Sequence, residues 1–207
     1  IKRCRKILSV DNSLRYITQH EFPDYRDKID VIPNFVDVDK FYPKNSTKQK
    51  FGLEAKDFVV LYPRNISLAR GYFLLFEIMR KIARSKHNVK FLVVGGDLRE
   101  INKDKYFRLL YYTIQKEKLM HHVHFAGSVP HAQMNDVFNA SDIVIIPSLF
   151  GEGSSFAALE SMACGKIVVA SNIGGLNDII IDGYNGFLVK PNSEAFVKKI
   201  MEIMDDN

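Results

Sequence analysis

A chain of 207 residues, 46% apolar and 26% charged, has the composition of one generous soluble globular domain, or of one domain plus part of another. Its net charge of +5 and isoelectric point near 9.1 favour acidic partners, yet the positive residues are scattered. No nucleic-acid partner is expected, because no basic stripe carries interleaved aromatics.

No apolar run approaches the ~18–20 residues of a membrane span, and no signal peptide is recognisable. Cys4 and Cys164 lie too far apart for metal-ligand spacing, so reduced thiols are expected. The first residue is Ile1, and the chain reads as cut from something longer. The one cationic cluster, Lys2–Lys6, reads as a solvated helix face.

In chain order, residues 1–30 read as a short strand, a helix led by Ser13 and a proline-containing loop, with no partner strands of their own. From about residue 30 short apolar runs alternate with helical patterns. "DVIPNF", "FVVLYPR", "VKFLVVGG", "HVHFAG", "DIVIIPS" and "KIVVAS" fit strands covered on both faces. A polar connector (42–57) with one helical turn separates the first two. The intervening helices are expected over 72–86, 104–120, 132–141, 154–164 and 193–206. Such alternation predicts an α/β fold, a doubly wound parallel sheet of the Rossmann-like kind.

Ligands of an open parallel sheet bind beyond the carboxyl ends of its strands. Four loops there carry suitable residues: Arg64 with Arg70-Gly71; Gly95, Gly96 and Asp97; Ser128, Val129 and Pro130; and the stretch "FGEGSSFAALESMACG" from Phe150 to Gly165. In the last, Gly153, Ser154 and Ser155 enter a helix at Phe156 whose first amides lack intrahelical partners, a ready phosphate site. Glu160 falls roughly 7–8 Å further on at ~1.5 Å rise per residue, a distance suited to a ribose, and Glu152 precedes the helix on the other side. Ala157 and Ala158 keep that helix thin. The plainer reading makes Ser154 or Ser155 an N-cap and both glutamates surface acids. Arg64 and Arg70 favour the first, since two guanidinium groups can converge on a diphosphate.

With these residues assembled, the chain resembles the C-terminal, donor-binding domain of family 4 retaining glycosyltransferases of GT-B architecture (glycosyl transferases group 1). The resemblance rests on "VIPNFVDVDKFYP" (31–43), on "EGSSFAALE" as a Glu-x7-Glu element, and on its continuation to "NGFLV". It implies transfer of a sugar from a nucleoside-diphosphate sugar to a glycan, lipid or other acceptor, as in polysaccharide biosynthesis. Glu152, Arg64 and Arg70 would be catalytic. Gly153, Ser154, Ser155, Phe156, Glu160, Gly95 and Val129 would bind the donor, Glu160 at the ribose and Val129 against the base. No cofactor and no metal are implied.

Residues 1–30 would then be the remnant of an N-terminal domain and interdomain linker, and 31–207 the nucleotide-sugar-binding domain without its final crossover helix. The N-terminal domain would bind the acceptor, so the fragment alone is expected to be inactive. A cytoplasmic location is expected, with peripheral contact at the inner face of the membrane left open. Phe35 stands where the family has Gly, and Arg70 where it has Lys. The rival reading is a nucleotide-binding scaffold or sensor without transfer activity.

Several residues read more plainly as structural. Asp37 and Asp39 mimic an Asp-x-Asp metal motif but fall in the linker block. His121, His122 and His124 read as surface or strand-edge histidines. Tyr111 and Tyr112 read as packing residues, Cys164 as a buried residue before a C-cap at Gly165, and Asp178 as support for the Gly174-Gly175 turn.

Overall fold

The computed structural model describes residues 3–85 and 88–206. Lys2 of the expected cationic cluster and Lys86 of the expected second helix lie outside the described residues; the rest of the cluster is not helical. The first unit holds strand β1 (Ile7–Ser9), helix α1 (Asn12–Glu21) and strand β2 (Ile29–Val31). Asp11 caps α1 by accepting from the Ser13 amide at 2.7 Å, the hydrogen bond that an aspartate N-cap supplies.

β1 and β2 pair in parallel as a sheet of two strands. This corrects two expectations. The opening residues do have a partner strand, and the run "DVIPNF" supplies it instead of joining the main sheet. Pro33 has no amide hydrogen to donate, and Asn34 turns away to bind Ser154, so the run leaves extended pairing after Val31.

The main sheet contains β3 (Phe58–Pro63), β4 (Val89–Val94), β5 (Val123–Gly127), β6 (Ile143–Ile146), β7 (Ile167–Ser171) and β8 (Phe187–Val189). They lie in the order β5-β4-β3-β6-β7-β8, all parallel. This is the doubly wound order, with its reversal between β3 and β6.

Successive residues of a strand face opposite sides, and the apolar runs sort accordingly. Val60, Tyr62, Phe91, Val93, Ile143 and Ile145 meet helices α2 (Tyr72–Ser85), α3 (Lys105–Lys116) and α7 (Ser193–Asp205) on one face. Val59, Leu61, Leu92, Val94, Val144 and Ile146 meet α4 (Met134–Asn139), α5 (Phe156–Ala163) and α6 (Leu176–Ile179) on the other. Ala158 is fully buried against this second face, so α5 sits close to the sheet. Cys164 is buried as expected, and Gly165 follows with a left-handed φ of 69°. No helix among the described residues is long and apolar enough to cross a membrane.

Asp178 and Gly175 join the large unit to the small one. Asp178 accepts from the Asn12 amide at 2.8 Å and its side-chain amide at 2.9 Å. Its carboxylate therefore supports the start of α1, where support of the Gly174-Gly175 turn was expected. At Gly175 the chains approach so closely that a Cβ would lie 2.4 Å from the Gly153 carbonyl carbon and 2.8 Å from Asp11 Cβ. Gly175→Ala is accordingly expected to cost about 1–3 kcal/mol, as overpacking does in a tight site. Urea denaturation reads this as a lowered midpoint, and an unchanged midpoint would contradict the packing.

Candidate functional site

The site opens at the carboxyl edge of the sheet, beside the switch between β3 and β6. Arg64 follows β3, and Arg70 stands two residues before α2. Tyr62, buried near the end of β3, places its hydroxyl 3.1 Å from the Asn65 carbonyl and 3.2 Å from that of Arg70, which ties down the loop carrying both arginines. Gly95, after β4, has a φ of 110°, and a Cβ there would lie 2.4 Å from the Arg64 carbonyl oxygen. Only glycine meets both demands.

From the β6 side come Ser148 and Glu152. Arg64 donates to Glu152 through both terminal nitrogens, Nη1 to Oε2 at 2.7 Å and Nη2 to Oε1 at 2.8 Å. Arg70 donates to the same Oε2, and the Ser148 hydroxyl does so at 2.6 Å while accepting from Arg64 Nη1 at 2.7 Å. The Glu152 side chain is only 2% exposed. Burial is the largest influence on its carboxyl and pushes the pKa up. The Arg64 and Ser148 hydrogen bonds and the two positive charges together outweigh it and hold the pKa below the usual glutamate value. Two guanidinium groups and one carboxylate leave one net positive charge facing outward.

α5 begins beside this cluster. Ser155 occupies its N-cap position, but no side chain caps the helix, and the buried Ser155 hydroxyl has no hydrogen-bond partner. The Ser154 hydroxyl accepts from the Asn34 amide at 3.0 Å, and its carbonyl from the Asn34 side chain at 2.7 Å. The capping reading of the two serines therefore does not hold, and the first-turn amides remain available to an anion.

Glu160, one turn along α5, is buried, with Nε2 of His131 2.7 Å from its Oε1. Burial pushes its pKa up, and the His131 contact opposes that. A cleft of about 780 Å³ is lined by Arg64, Arg70, Gly95, Val129, His131, Phe156, Ala157 and Glu160, and also by Phe35, Asp37 and Phe41. That volume suits a ligand of nucleotide size.

The sequence profile described as "Glycosyl transferases group 1" matches residues 43–207. The chain belongs to that family. An uncharacterized glycosyltransferase of Methanocaldococcus jannaschii is 28% identical over 97% of this chain and 51% of its own length. A D-inositol 3-phosphate glycosyltransferase of Segniliparus rotundus is 30% identical over 89% of this chain and 40% of its own. A glycosyltransferase from Rickettsia africae superimposes with a TM-score of 0.84 at 28% identity, covering 97% of this chain and 53% of that structure. Anabaena HepE in complex with UDP-glucose also gives 0.84, at 24% identity and over 98% and 55% of the two chains, and shows the shared fold. The chain thus spans about half the length of these relatives.

Of the expected site residues, Arg64, Arg70, Gly95, Val129, Phe156 and Glu160 line the cleft. Glu152, Gly153, Ser154 and Ser155 are not among its lining residues. The Glu152 carboxylate is occupied by Arg64, Arg70 and Ser148. Phe35 needs no glycine-like backbone: among the described residues, Lys118 alone combines a side chain with positive φ. Asp97 binds Arg99 instead of facing the cleft, and Asp37 pairs with Lys40 at 2.8 Å.

His122 is buried with Nδ1 2.9 Å from the Val89 carbonyl oxygen, which corrects its reading as a surface or strand-edge residue. Tyr111 packs among Phe107 and Phe125, whereas Tyr112 is exposed. Among the described residues no three His, Cys, Asp or Glu side chains are grouped to hold a metal ion.

Sequence reasoning missed the parts played by Tyr62, Ser148, Asn34 and His131. The position of Ser148 directly after "DIVIIP" and of His131 directly after "SVP" were the available signals.

Glu152→Ala leaves the nearly buried Arg64 guanidinium unpaired and is expected to cost about 3–5 kcal/mol. Urea unfolding checks this, and a loss below about 1 kcal/mol, the range of exposed pairs, would contradict it. Because the folded-state pKa is depressed, the contribution of the Glu152 charge is fully present above 4.5, the ordinary glutamate value, and is lost as pH falls through the lower folded value. The stability gap between wild type and Glu152→Gln is therefore expected to shrink below that pH.

Proposed function

We propose that this chain is the donor-binding domain of a retaining glycosyltransferase that takes a sugar from a nucleoside diphosphate. The observation carrying the reading is the joint placement, in one cleft, of two arginines beside an uncapped helix N-terminus and of a buried carboxylate one turn along that helix. The diphosphate lies against Arg64, Arg70 and the first amides of α5. The ribose hydroxyls are received by Glu160, and the base lies toward Val129. Anabaena HepE, which shares the fold, binds UDP and UDP-glucose.

Glu152 acts from behind: it fixes the spacing of the two guanidinium groups, which stabilise the charge that develops on the departing diphosphate. Retention follows when that diphosphate takes the acceptor proton on the face it leaves, so the domain needs no base of its own. In this reading residues 1–30 belong to an N-terminal, acceptor-binding domain, the fragment alone is inactive, no metal takes part, and the location is cytoplasmic. A scaffold without transfer activity has no specific observation in its favour.

Calorimetric titration with UDP, GDP and ADP, with magnesium and with a chelator, tests this. One nucleotide is expected to bind preferentially and without metal. Arg64→Ala and Glu160→Ala should each weaken it by about 10- to 100-fold, the worth of a charge-assisted hydrogen bond. Absence of binding to all three would overturn the reading, and binding abolished by the chelator would overturn its metal independence.

A further inference from the structure

The two oxygens of Glu160 are treated differently. Oε1 is held by His131 Nε2 at 2.7 Å, whereas Oε2 meets no hydrogen-bond donor among the described residues, on a side chain that lines the cleft. An ionised carboxylate only accepts hydrogen bonds, so Nε2 carries the proton in this contact. His131 itself is well placed to hold still. It follows Pro130, whose φ is −56°, in a short 3-10 turn, and its ring packs edge-on against Phe41 at 5.3 Å between centroids. Phe41 is buried and packs in turn on Phe138 of α4. One face of the imidazole is thus braced by the core, while its side chain is 70% exposed overall at the cleft.

A free glutamate side chain has about 1.5–2 kcal/mol of rotamer freedom to lose when a ligand orders it. One hydrogen bond from a braced imidazole removes much of that freedom beforehand. An ionised carboxylate accepts about four hydrogen bonds, so one used by His131 still leaves capacity for two hydroxyls.

We propose that His131 is a positioning residue for the nucleoside: it aligns the Glu160 carboxylate so that the oxygen facing the cleft receives the vicinal diol of a ribose. The proposal rests on the reading of Glu160 as the ribose acceptor. In this role His131 acts through Glu160, so its effect falls on the sugar hydroxyls. The rest of the nucleotide, diphosphate and base, does not register its loss. That confinement separates positioning from a general structural role.

The test is calorimetric titration of the whole chain with the preferred nucleoside diphosphate and its 2′,3′-dideoxy form, using wild type, His131→Ala, His131→Gln and Glu160→Ala. The wild type should prefer the ribose form. His131→Ala should lower that preference by about 3- to 10-fold, the worth of one hydrogen bond, while changing affinity for the 2′,3′-dideoxy form less than about twofold. His131→Gln, which keeps a donor on a comparable reach, should restore most of the preference, and Glu160→Ala should abolish it.

A His131→Ala chain with the wild-type preference, beside a Glu160→Ala chain that has lost it, would overturn the proposal and leave the ribose reading intact. Equal weakening of both nucleotides by His131→Ala would overturn it in favour of a structural role. A Glu160→Ala chain that keeps the preference would overturn the ribose reading, and the proposal with it.

Discussion

The buried carboxylate of Glu152, shared by Arg64 and Arg70, is the interaction on which the site depends. The two arginines leave the end of one strand and the start of one helix, and nothing in their own loop would bring two like charges together. Glu152 does so from the neighbouring strand across the sheet reversal, with Ser148 completing its hydrogen bonds. A buried charge of this kind is tolerable only when every partner is present. The result is an arginine pair whose spacing is set by the fold before any ligand arrives, beside a helix end that adds partial positive charge of its own.

The second glutamate stands in the opposite condition. Glu152 is stabilised as a charge, whereas Glu160 is desolvated with a single partner and has a raised pKa. As pH rises from the ordinary glutamate value of 4.5 through the raised folded-state value, the Glu160 charge subtracts stability where that of Glu152 adds it. A fold selected for stability alone would not retain such a group on the wall of a cleft. Binding sites commonly carry this kind of local cost, because a partly satisfied acceptor is what a ligand hydroxyl can complete.

Much of the architecture was legible because parallel strands covered on both faces announce themselves as continuous apolar runs, and the strand-end rule then put four loops on one edge. Legibility failed where an apolar run does not say which strand it pairs with. "DVIPNF" looks like any other strand, yet its proline and the distant Ser154 confine it to β2 and the small sheet. β8 escaped notice because three half-buried residues make too short a pattern. Glu152, Glu160, Arg64 and Arg70 stood out as charges in a small-residue context. Tyr62, Ser148, Asn34 and His131 did not, since each takes its meaning from a partner brought in by folding. Asn34 and Ser154 are 120 residues apart, and His131 and Glu160 are 29 apart.

The account stands on an anion site formed jointly by the arginine pair and the start of α5. A crystal structure of the chain with its preferred nucleoside diphosphate tests that most directly. The account predicts phosphate oxygens at ~2.7–3.2 Å from Arg64, Arg70 and the first-turn amides of α5. Glu152 should still bridge both arginines from behind, and the ribose should lie at Glu160. A nucleotide bound away from the helix start, or one that reaches Glu152 only by separating it from Arg64, would contradict it.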